Sequence, residues 1–477
     1  MATTLVISGV VTEDGLPVAK PVRFYRFDTF ELAAETTSSG IDGSYSASLS
    51  VNDQYYVIVP RYGEYESLIH GPVTPVTTVE IDTSSPVLDL TVNSPMVLYL
   101  VQPTWVFQNT TSHTSFGAAL DCNATHVFAQ EPNVGTGTIL IHTLSTGAYV
   151  DALPNPAATS DEYGADVSAS SDYCLVGAPA ADIGDTDSGA AYLFQLSDNT
   201  LVRRIDNPDA APASDRFGHS VSVNNTYSLV GSPWEEDAYA DSGKAYLFNN
   251  ATGALVWTFD NPQTGNFDYS HFGTSVYVDD NYSIIGSPQD DTLGTDTGVA
   301  FVFDNSNGTL KWTLNQDAVN SQEFMGETIA CNGVQIFVGS RGYYTKDENL
   351  LYVFSYATGA FMYRIDYVDI DPQWSWGLSD NNSLFGKAIS ADATNLFVSA
   401  PYEDWPGNQE NNNGVVFQFE AATGTLIRMI WPPNGETESQ NGLFGEGLYS
   451  NGTDLIVNLR RYGVNDYGAV MRFLVNA

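Results

Sequence analysis

Acidic side chains stand close together at four places along the chain, each time after a short apolar run. The four stretches are AADIGDTDS, WEEDAYADS, QDDTLGTDT and YEDWPGNQENNN. Carboxylate oxygens at short spacing are the ligands that Ca²⁺ prefers. Asp182, Asp185 and Asp187 of the first stretch are therefore candidate ligands for a divalent cation such as Ca²⁺. The alternative is that these are solvated loops, and no cofactor is required.

Aromatic side chains in polar surroundings form a second set of candidate residues. Trp374 and Trp376 lie in DPQWSWGLSD, Trp405 lies in an acidic stretch, and Tyr343 and Tyr344 are adjacent. Flat aromatic faces suit sugar rings and the side chains of a protein partner. We predict that these five residues bind a receptor, with core packing or loop packing as the alternative.

No pattern in the chain points to catalysis. The six histidines lack the spacing of a metal-binding H-E-x-x-H motif, and neither a G-x-S-x-G elbow nor a P-loop occurs. His219 follows a recurring Phe-Gly pair and His271 precedes one, which favours a structural role for both. Carboxylate pairs of the kind used in glycan chemistry abound, but none stands out. We therefore predict no catalytic residue and no enzyme activity.

The charge balance excludes some partners. The chain has 57 acidic and 17 basic residues, a formal net charge of −40. Such a surface repels nucleic acid and anionic lipid, so neither is an expected partner. No apolar run is long enough for a membrane span, and the opening MATTLVISGVVTEDG lacks the features of a signal peptide. Three cysteines provide no disulfide framework, and we expect them to be buried small apolar residues.

A unit of about fifty residues recurs along most of the chain. Its anchor is an aromatic residue or Met followed by Gly, and it occurs seven times: Phe116-Gly117, Tyr163-Gly164, Phe217-Gly218, Phe272-Gly273, Met325-Gly326, Phe385-Gly386 and Phe444-Gly445. Each unit has four short runs of β-branched and aromatic residues separated by turn residues, which predicts four strands. SGAAYLF, from Ser188 to Phe194, would be a third strand with alternating faces. Seven four-stranded units predict an all-β, seven-bladed propeller.

The last unit lacks its fourth strand. It ends in GAVMRFLVNA, whereas PMVLYLVQP, at residues 95–103, is similar to a fourth strand and precedes the first anchor. We therefore predict that residues 95–103 pair with the C-terminal blade and close the ring, which removes the sheet edges. A linker is the alternative. The propeller would then span residues 93–477.

Residues 1–92 lie outside the repeat. LVISGVVTEDGLPVAKPVRFYRFDT predicts two strands around a turn, AAETTSSGIDGSYSASL predicts a hairpin, and DQYYVIVP predicts a further strand. We predict a small transthyretin-like or immunoglobulin-like β-sandwich with one core of Val, Ile, Tyr and Phe.

The repeat resembles FG-GAP repeats, the blades of the integrin α-chain propeller, over about residues 95–477. The segment FGHSVSV, LVGSP and SGKAYLF keeps all three parts of the bacterial form of this motif. Integrin-type repeats carry an Asp-rich calcium loop between the first and second strands. Here that position reads SASSDY, NNTY, DDNY, CNGV or SNGTD, which offers too few oxygens, so the resemblance does not imply that calcium site.

The front segment resembles the transthyretin-like, carboxypeptidase-regulatory family, and in particular modules of tailed-phage virion proteins. The residues that carry this are Gly15-Leu-Pro17, Arg23-Phe-Tyr-Arg26, Ala34-Glu-Thr-Thr-Ser38, Gly43-Ser-Tyr-Ser46 and Tyr55-Tyr-Val57. With the absent signal peptide, the resemblance implies a non-enzymatic virion protein assembled in the host cytoplasm. Residues 1–92 would attach it to other virion proteins, and the propeller would project as an oligomeric tail or particle appendage that contacts host glycan or protein. A bacterial surface or secreted adhesion protein is the alternative, and a glycan-active enzyme is the third.

Overall fold

Runs of β-branched and aromatic residues form the strands of an all-β chain. The structure is a computed structural model. Up to residue 82 the description is of strand backbone alone. From residue 103 it covers the chain to residue 475 except 109–115, 132–135, 160, 210–213, 237–238, 264–267, 293, 316–322, 342–348, 371–382, 404–412, 433–442 and 463–466.

The described residues of the front segment form eight strands. They are β1 Thr4–Glu13, β2 Leu16–Pro17, β3 Pro21–Arg26, β4 Leu32–Thr37, β5 Ser44–Ser50, β6 Tyr55–Arg61, β7 Tyr65–Val73 and β8 Thr78–Asp82. One sheet has the order β2-β1-β5 with β8 also paired to β1, and the other has the order β4-β3-β6-β7. The side chains that would form a sandwich core lie outside the described residues, so the sandwich stays a prediction.

The rest of the chain contains one further strand, β9 Trp105–Gln108, and then seven sets of strands, called blades one to seven. In chain order these are β10 Leu120–Cys122, β11 His126–Glu131, β12 Thr138–Thr143 and β13 Tyr149–Pro154; β14 Val167–Ala169, β15 Tyr173–Ala178, β16 Ala190–Gln195 and β17 Thr200–Asp206; β18 Ser220–Val223, β19 Tyr227–Ser232, β20 Lys244–Asn249 and β21 Leu255–Asp260; β22 Val276–Val278, β23 Tyr282–Ser287, β24 Val299–Asp304 and β25 Leu310–Leu314; β26 Met325–Cys331, β27 Gln335–Arg341, β28 Asn349–Ser355 and β29 Phe361–Asp366; β30 Ile389–Ala391, β31 Asn395–Ala400, β32 Val415–Glu420 and β33 Leu426–Ile430; and β34 Phe444–Ser450, β35 Asp454–Tyr462 and β36 Tyr467–Leu474. A single helical turn, α1 Tyr367–Ile370, follows β29.

The seven blades form a ring. Each is an antiparallel sheet of four strands in sequential order, except that the last has the order β34-β35-β36-β9. The first strand of every blade neighbours the first strand of the next, and β34 of blade seven lies beside β10 of blade one. The predicted seven-bladed β-propeller is therefore confirmed, with the first strands around its centre.

The hydrophobic core lies between the blades. In the third strand of blade three, Tyr246 and Phe248 pack towards blade two, whereas Ala245 and Leu247 pack towards blade four. SGAAYLF behaves in the same way, because Tyr192 and Phe194 join one interface and Leu193 joins the other. The predicted alternation is confirmed. Since both faces of a blade are apolar, a blade buries its surface only when a neighbour stands on each side.

The recurring glycines occupy the closest contacts between blades. Gly243, in SGKAYLF, has φ +77°, and a Cβ there would lie 2.1 Å from the carbonyl oxygen of Phe272, the anchor of the next blade. The Phe272 amide donates a hydrogen bond to the carbonyl of Ser242 at 3.0 Å. Gly231, in LVGSP, has the Gly273 carbonyl oxygen 2.1 Å from the position of a Cβ. The repeated motifs are therefore the two sides of one joint between blades.

The fourth strand of blade seven comes from upstream of the first anchor. β9 pairs antiparallel with β36, and the Nε1 of Trp105 donates to the carbonyl of Leu144 in blade one at 2.9 Å. Trp257 makes the corresponding bond from blade three to Asn305 of blade four at 2.8 Å. Residues 95–102 lie outside the described residues, so the pairing predicted for residues 95–103 stays a prediction. The strand in this position begins two residues after that segment.

Candidate functional site

The two faces of the ring differ in their connections. The turn between the first and second strands has three residues in all seven blades, and the turn between the third and fourth has four or five. On the opposite face, called the loop face, the connection from the second to the third strand has four to fourteen residues. The connection between blades, also on the loop face, has ten to twenty-two. The loop face therefore holds nearly all the variation among the repeats.

The predicted cation ligands lie in a loop of this face. Asp182 Oδ1 accepts a hydrogen bond from the backbone amide of Asp187 at 2.9 Å, and Asp185 Oδ1 accepts one from Thr186 at 2.9 Å. Blade four repeats the first bond, from the Asp296 amide to Asp291 Oδ1 at 2.7 Å. The acid spacing therefore serves to fold the loop in both blades. A cation at Asp182, Asp185 and Asp187 stays a prediction.

In the sequence, the predicted receptor-binding aromatic residues follow strands β27, β29 and β31. Trp374, Trp376, Trp405, Tyr343 and Tyr344 lie outside the described residues. Their role stays a prediction.

The structure brings together three other acidic side chains, called the carboxylate cluster. They are Asp209 and Asp215, in the connection that leads into blade three, and Glu235, in the loop after β19. One carboxylate oxygen from each lies within 4.8 Å of the other two. Glu235 has 0% and Asp215 has 2% of its surface exposed. Within the part of the chain that the structure describes, no other His, Cys, Asp or Glu side chains form such a group.

Hydrogen bonds hold the cluster in place. Glu235 Oε1 accepts the Tyr246 hydroxyl, and Lys244 Nζ lies 3.1 Å from the same oxygen. Asn207 donates its side-chain amide to Asp215 Oδ2 at 2.9 Å. The Oδ1 of Asn207 accepts the backbone amide of Asp209 at 3.0 Å, so one Asn positions two of the three acids.

Burial raises the pKa values of two of these acids, Asp215 and Glu235. The pKa of Asp215 rises to about 7, first because its carboxyl is removed from water and then because Glu235 and Asp209 are close. Burial also raises the pKa of Glu235, against the opposing effects of the Tyr246 hydroxyl and the Lys244 ammonium. The cluster therefore attracts any cation or proton that compensates its charge.

Single buried acids occupy the corresponding places in other blades. Asp161 accepts the Asn155 amide, Asp290 accepts the Asn261 amide, and Glu323 accepts the Tyr352 hydroxyl. Blade three has a second acid and also a lysine. The lysine, Lys244, is the third residue of SGKAYLF, and the same position is Ala190 in SGAAYLF and Val299 in TGVAFVF. Among the described residues, blade three alone therefore combines two such acids with a lysine.

A channel of about 1100 Å³ runs along the first strands. Its polar side chains bond from blade to blade: Ser220 Oγ donates to the Gly273 carbonyl at 2.8 Å, and Thr328 Oγ1 donates to the Gly386 carbonyl at 2.7 Å. Asp121 accepts the amide of Ala169 at 2.8 Å, and Asp166 accepts that of Val221 at 2.7 Å. These groups already have structural partners, which leaves them poorly placed for chemistry on a ligand.

The channel acids predict a pH dependence of stability. Burial raises the pKa of Asp121 from 3.8 to about 7 and that of Asp166 from 3.8 to about 6. A folded pKa above the unfolded one gives stability that is complete below the unfolded value and is lost as pH rises through the folded value. We therefore expect the free energy of unfolding to fall as the pH rises from 3.8 to about 7. Since both side chains are partly exposed to the channel, the fall should be smaller than the full shifts imply.

Urea unfolding at about pH 5 and about pH 8 measures this effect. Asp121→Asn should flatten the profile, whereas Asp172→Asn, on an exposed turn, should leave it unchanged. A wild-type protein that is equally stable at both pH values would contradict the prediction.

Two histidines flank a tryptophan at the loop-face end of the channel. The His219 ring lies 4.8 Å from that of Trp234, and the His271 ring lies 5.5 Å from it on another side. The Arg216 guanidinium lies 5.4 Å from the Trp234 ring centroid. Burial, with Arg216 and Lys387, lowers the pKa of His219 to about 4. A neutral His219 packed on an aromatic ring suits the structural role predicted for it.

The sequence-based reasoning missed Asp209 and Asp215. The signal for Asp215 is its place two residues before the anchor Phe217, where Asp161 precedes Tyr163 and Glu323 precedes Met325. A search for repeated acids at a fixed distance from the anchor would have found it. Asp209 has no counterpart that marks it, and only its contact with the other two acids identifies it.

Two of the repeat units match a known family. Residues 151–194 and 202–248 match the FG-GAP repeat, and each matched segment runs from a fourth strand through the third strand of the next blade. No curated protein matches the chain. Among the described residues, no helix is long and apolar enough to cross a membrane. The chain therefore carries FG-GAP repeats within a seven-bladed β-propeller.

Proposed function

We propose that this chain is a non-enzymatic structural protein of a tailed-phage virion. Residues 1–92 attach it to other virion proteins, and the propeller projects as an oligomeric appendage. The loop face meets a glycan or protein on the host surface, and Trp374, Trp376, Trp405, Tyr343 and Tyr344 provide aromatic contacts there.

The observation that carries the binding role is the uneven distribution of connection lengths. Turns of three to five residues on one face stand against connections of four to twenty-two residues on the other. In repeat proteins, insertions gathered on one face mark the surface that meets a partner, because loops vary without disturbing the core. Ser220 and Asp166 of the channel bond to the neighbouring blade, which supports a structural over a catalytic role for these two side chains.

The virion assignment rests on the resemblance of the front segment to modules of tailed-phage proteins. Immunogold electron microscopy of a phage lysate, with antibody against the propeller, tests it. Label at tail tips supports the proposal, and label over capsids keeps the structural role but removes the adsorption role. Label confined to cells overturns it and favours an adhesion protein. Release of reducing ends from host polysaccharide by the purified chain would favour a glycan-active enzyme.

The receptor role predicts a loss of binding on one face only. Trp374→Ala combined with Trp376→Ala should weaken binding of the full chain to host cells at least tenfold, which corresponds to about 1.4 kcal/mol or more. Tyr149→Ala is the control, because Tyr149 is 60% exposed and follows a turn of the other face. Flow cytometry with the labelled chain measures both. Equal binding by the two variants and the wild type would contradict the receptor role.

A further inference from the structure

The carboxylate cluster has the dimensions of a cation site. Its three oxygens lie within 4.8 Å of one another. Ca²⁺ binds oxygen at about 2.3–2.6 Å, so two ligands on opposite sides of the ion are about 4.6–5.2 Å apart and adjacent ligands are closer. The separations among Asp209, Asp215 and Glu235 are therefore within the range found between oxygens that bind one Ca²⁺.

One residue of the carboxylate cluster also has a buried oxygen without a hydrogen-bond donor in the part of the chain that the structure describes. Glu235 is completely buried, and its Oε2 has no hydrogen-bond partner among the described residues. Its other oxygen, Oε1, already holds the Tyr246 hydroxyl and Lys244. A buried acceptor that receives no hydrogen bond costs about 1–3 kcal/mol. An ion or ordered water beside it is the usual explanation for such a group.

The charge of the cluster leaves room for a cation. The three carboxylates lie together, and the Lys244 ammonium lies 3.1 Å from Glu235 Oε1. Asp215 Oδ2 accepts the side-chain amide of Asn207. A cation that binds Glu235 Oε2 would leave both the lysine and the asparagine in place.

We propose that Asp209, Asp215 and Glu235 bind a divalent cation, with Ca²⁺ as the best match. Ca²⁺ accepts irregular sets of six to eight oxygens, which backbone carbonyls and waters can complete around three carboxylates. The ion ties the connection that enters blade three to the loop after β19. This site is separate from Asp182, Asp185 and Asp187, and it is independent of the virion assignment.

Thermal unfolding of the full chain with added Ca²⁺ tests the site. The chain is first treated with EDTA and then titrated with CaCl₂ from about 10 µM to about 10 mM at constant ionic strength, which removes the effect of screening on an acidic chain. The melting temperature should rise and level off. Asp215→Asn should abolish the rise. Asp290→Asn should keep the rise in melting temperature. Asp290 is a buried acid in the next blade and, among the described residues, does not belong to a cluster of acids.

Equilibrium dialysis with radioactive Ca²⁺ measures binding directly, so it also tests variants whose melting temperature is lowered by the substitution itself. At about 1 mM Ca²⁺ the wild type should retain one more ion per chain than Asp215→Asn or Glu235→Gln. A wild type that neither binds Ca²⁺ nor gains stability overturns the proposal. So does an effect that survives in both variants, or one that disappears in Asp185→Asn instead, since either outcome places the ion elsewhere.

Discussion

Gly243→Ala is expected to lower the free energy of unfolding by about 3 kcal/mol or more. Gly243 has φ +77°, and an added Cβ would lie 2.1 Å from the carbonyl oxygen and 2.7 Å from the nitrogen of Phe272. Both are backbone atoms, so no side chain can turn aside to make room. Strain at positive φ costs about 1–3 kcal/mol, and overpacking a close contact costs about as much again.

The matched control is Gly333→Ala, which makes the same change at nearly the same φ. Gly333 has φ +80°, but no atom lies within 4 Å of an added Cβ. It carries the strain of positive φ alone, so we expect a loss of about 1–2 kcal/mol. Urea unfolding followed by tryptophan fluorescence compares the two. Equal losses would mean that the contact between blades three and four contributes nothing beyond backbone strain.

Lys244→Met is expected to destabilise the protein by about 2–4 kcal/mol at about pH 8, and by much less at about pH 5. The Lys244 ammonium lies 3.1 Å from the fully buried Glu235 carboxylate, and its side chain is 15% exposed. Without it, two buried acids lose the cation that lowers their pKa values. The methionine keeps the length of the apolar stem, so the change is mainly one of charge.

The sign of the pH effect follows from the direction of these shifts. Glu235 and Asp215 have pKa values raised above their unfolded values, and removal of Lys244 raises them further. Stability from such groups is complete below the unfolded pKa and is lost as pH rises through the folded pKa. The deficit of the variant should therefore grow with pH. The experiment is done in EDTA, so that divalent cations do not replace the missing charge.

Lys311→Met is the control for the lysine itself. Lys311 lies 3.9 Å from Asp304, and both side chains are about one-third exposed. Its removal should leave the slope of stability against pH unchanged, because solvent screens the pair. If Lys244→Met gave a pH-independent loss, the lysine would act through packing and not through its charge.

Local periodicity was enough to predict the architecture. The aromatic-Gly anchors, the four strand-forming runs per unit and the missing last strand are patterns within about fifty residues, and the structure has the seven blades they predict. The alternation in SGAAYLF also follows from local geometry, because successive side chains of a strand point to opposite faces. Strand period and repeat period are properties of neighbouring residues, so they can be read without knowing the packing.

The fourth strand of blade seven shows how a pattern identifies a strand imperfectly. Both PMVLYLVQP and WVFQN follow the apolar pattern of a fourth strand. The pairing of residues 95–103 stays a prediction, and the described strand that pairs with β36 is Trp105–Gln108. WVFQN also matches WTFDN of blade three, and Trp105 and Trp257 make the same bond to the next blade. Apolar content favours many segments equally. The contact of one tryptophan across a blade interface distinguishes them.

The contacts between residues far apart in the chain depend on the packing of neighbouring blades and loops. Gly243 and Phe272 are 29 positions apart, and Asp209 and Glu235 are 26 apart; each pair meets because adjacent blades or loops converge at one face. The spacing of the acids predicts Asp182 as a metal ligand, which stays a prediction, and only the fold shows that its carboxylate accepts the Asp187 amide. Composition and spacing therefore established the number of blades and the order of their strands. Which carboxylates face one another, and which glycines touch a neighbouring backbone, follows from the packing of seven sheets around a common axis, because those distances are set across the chain and not along it.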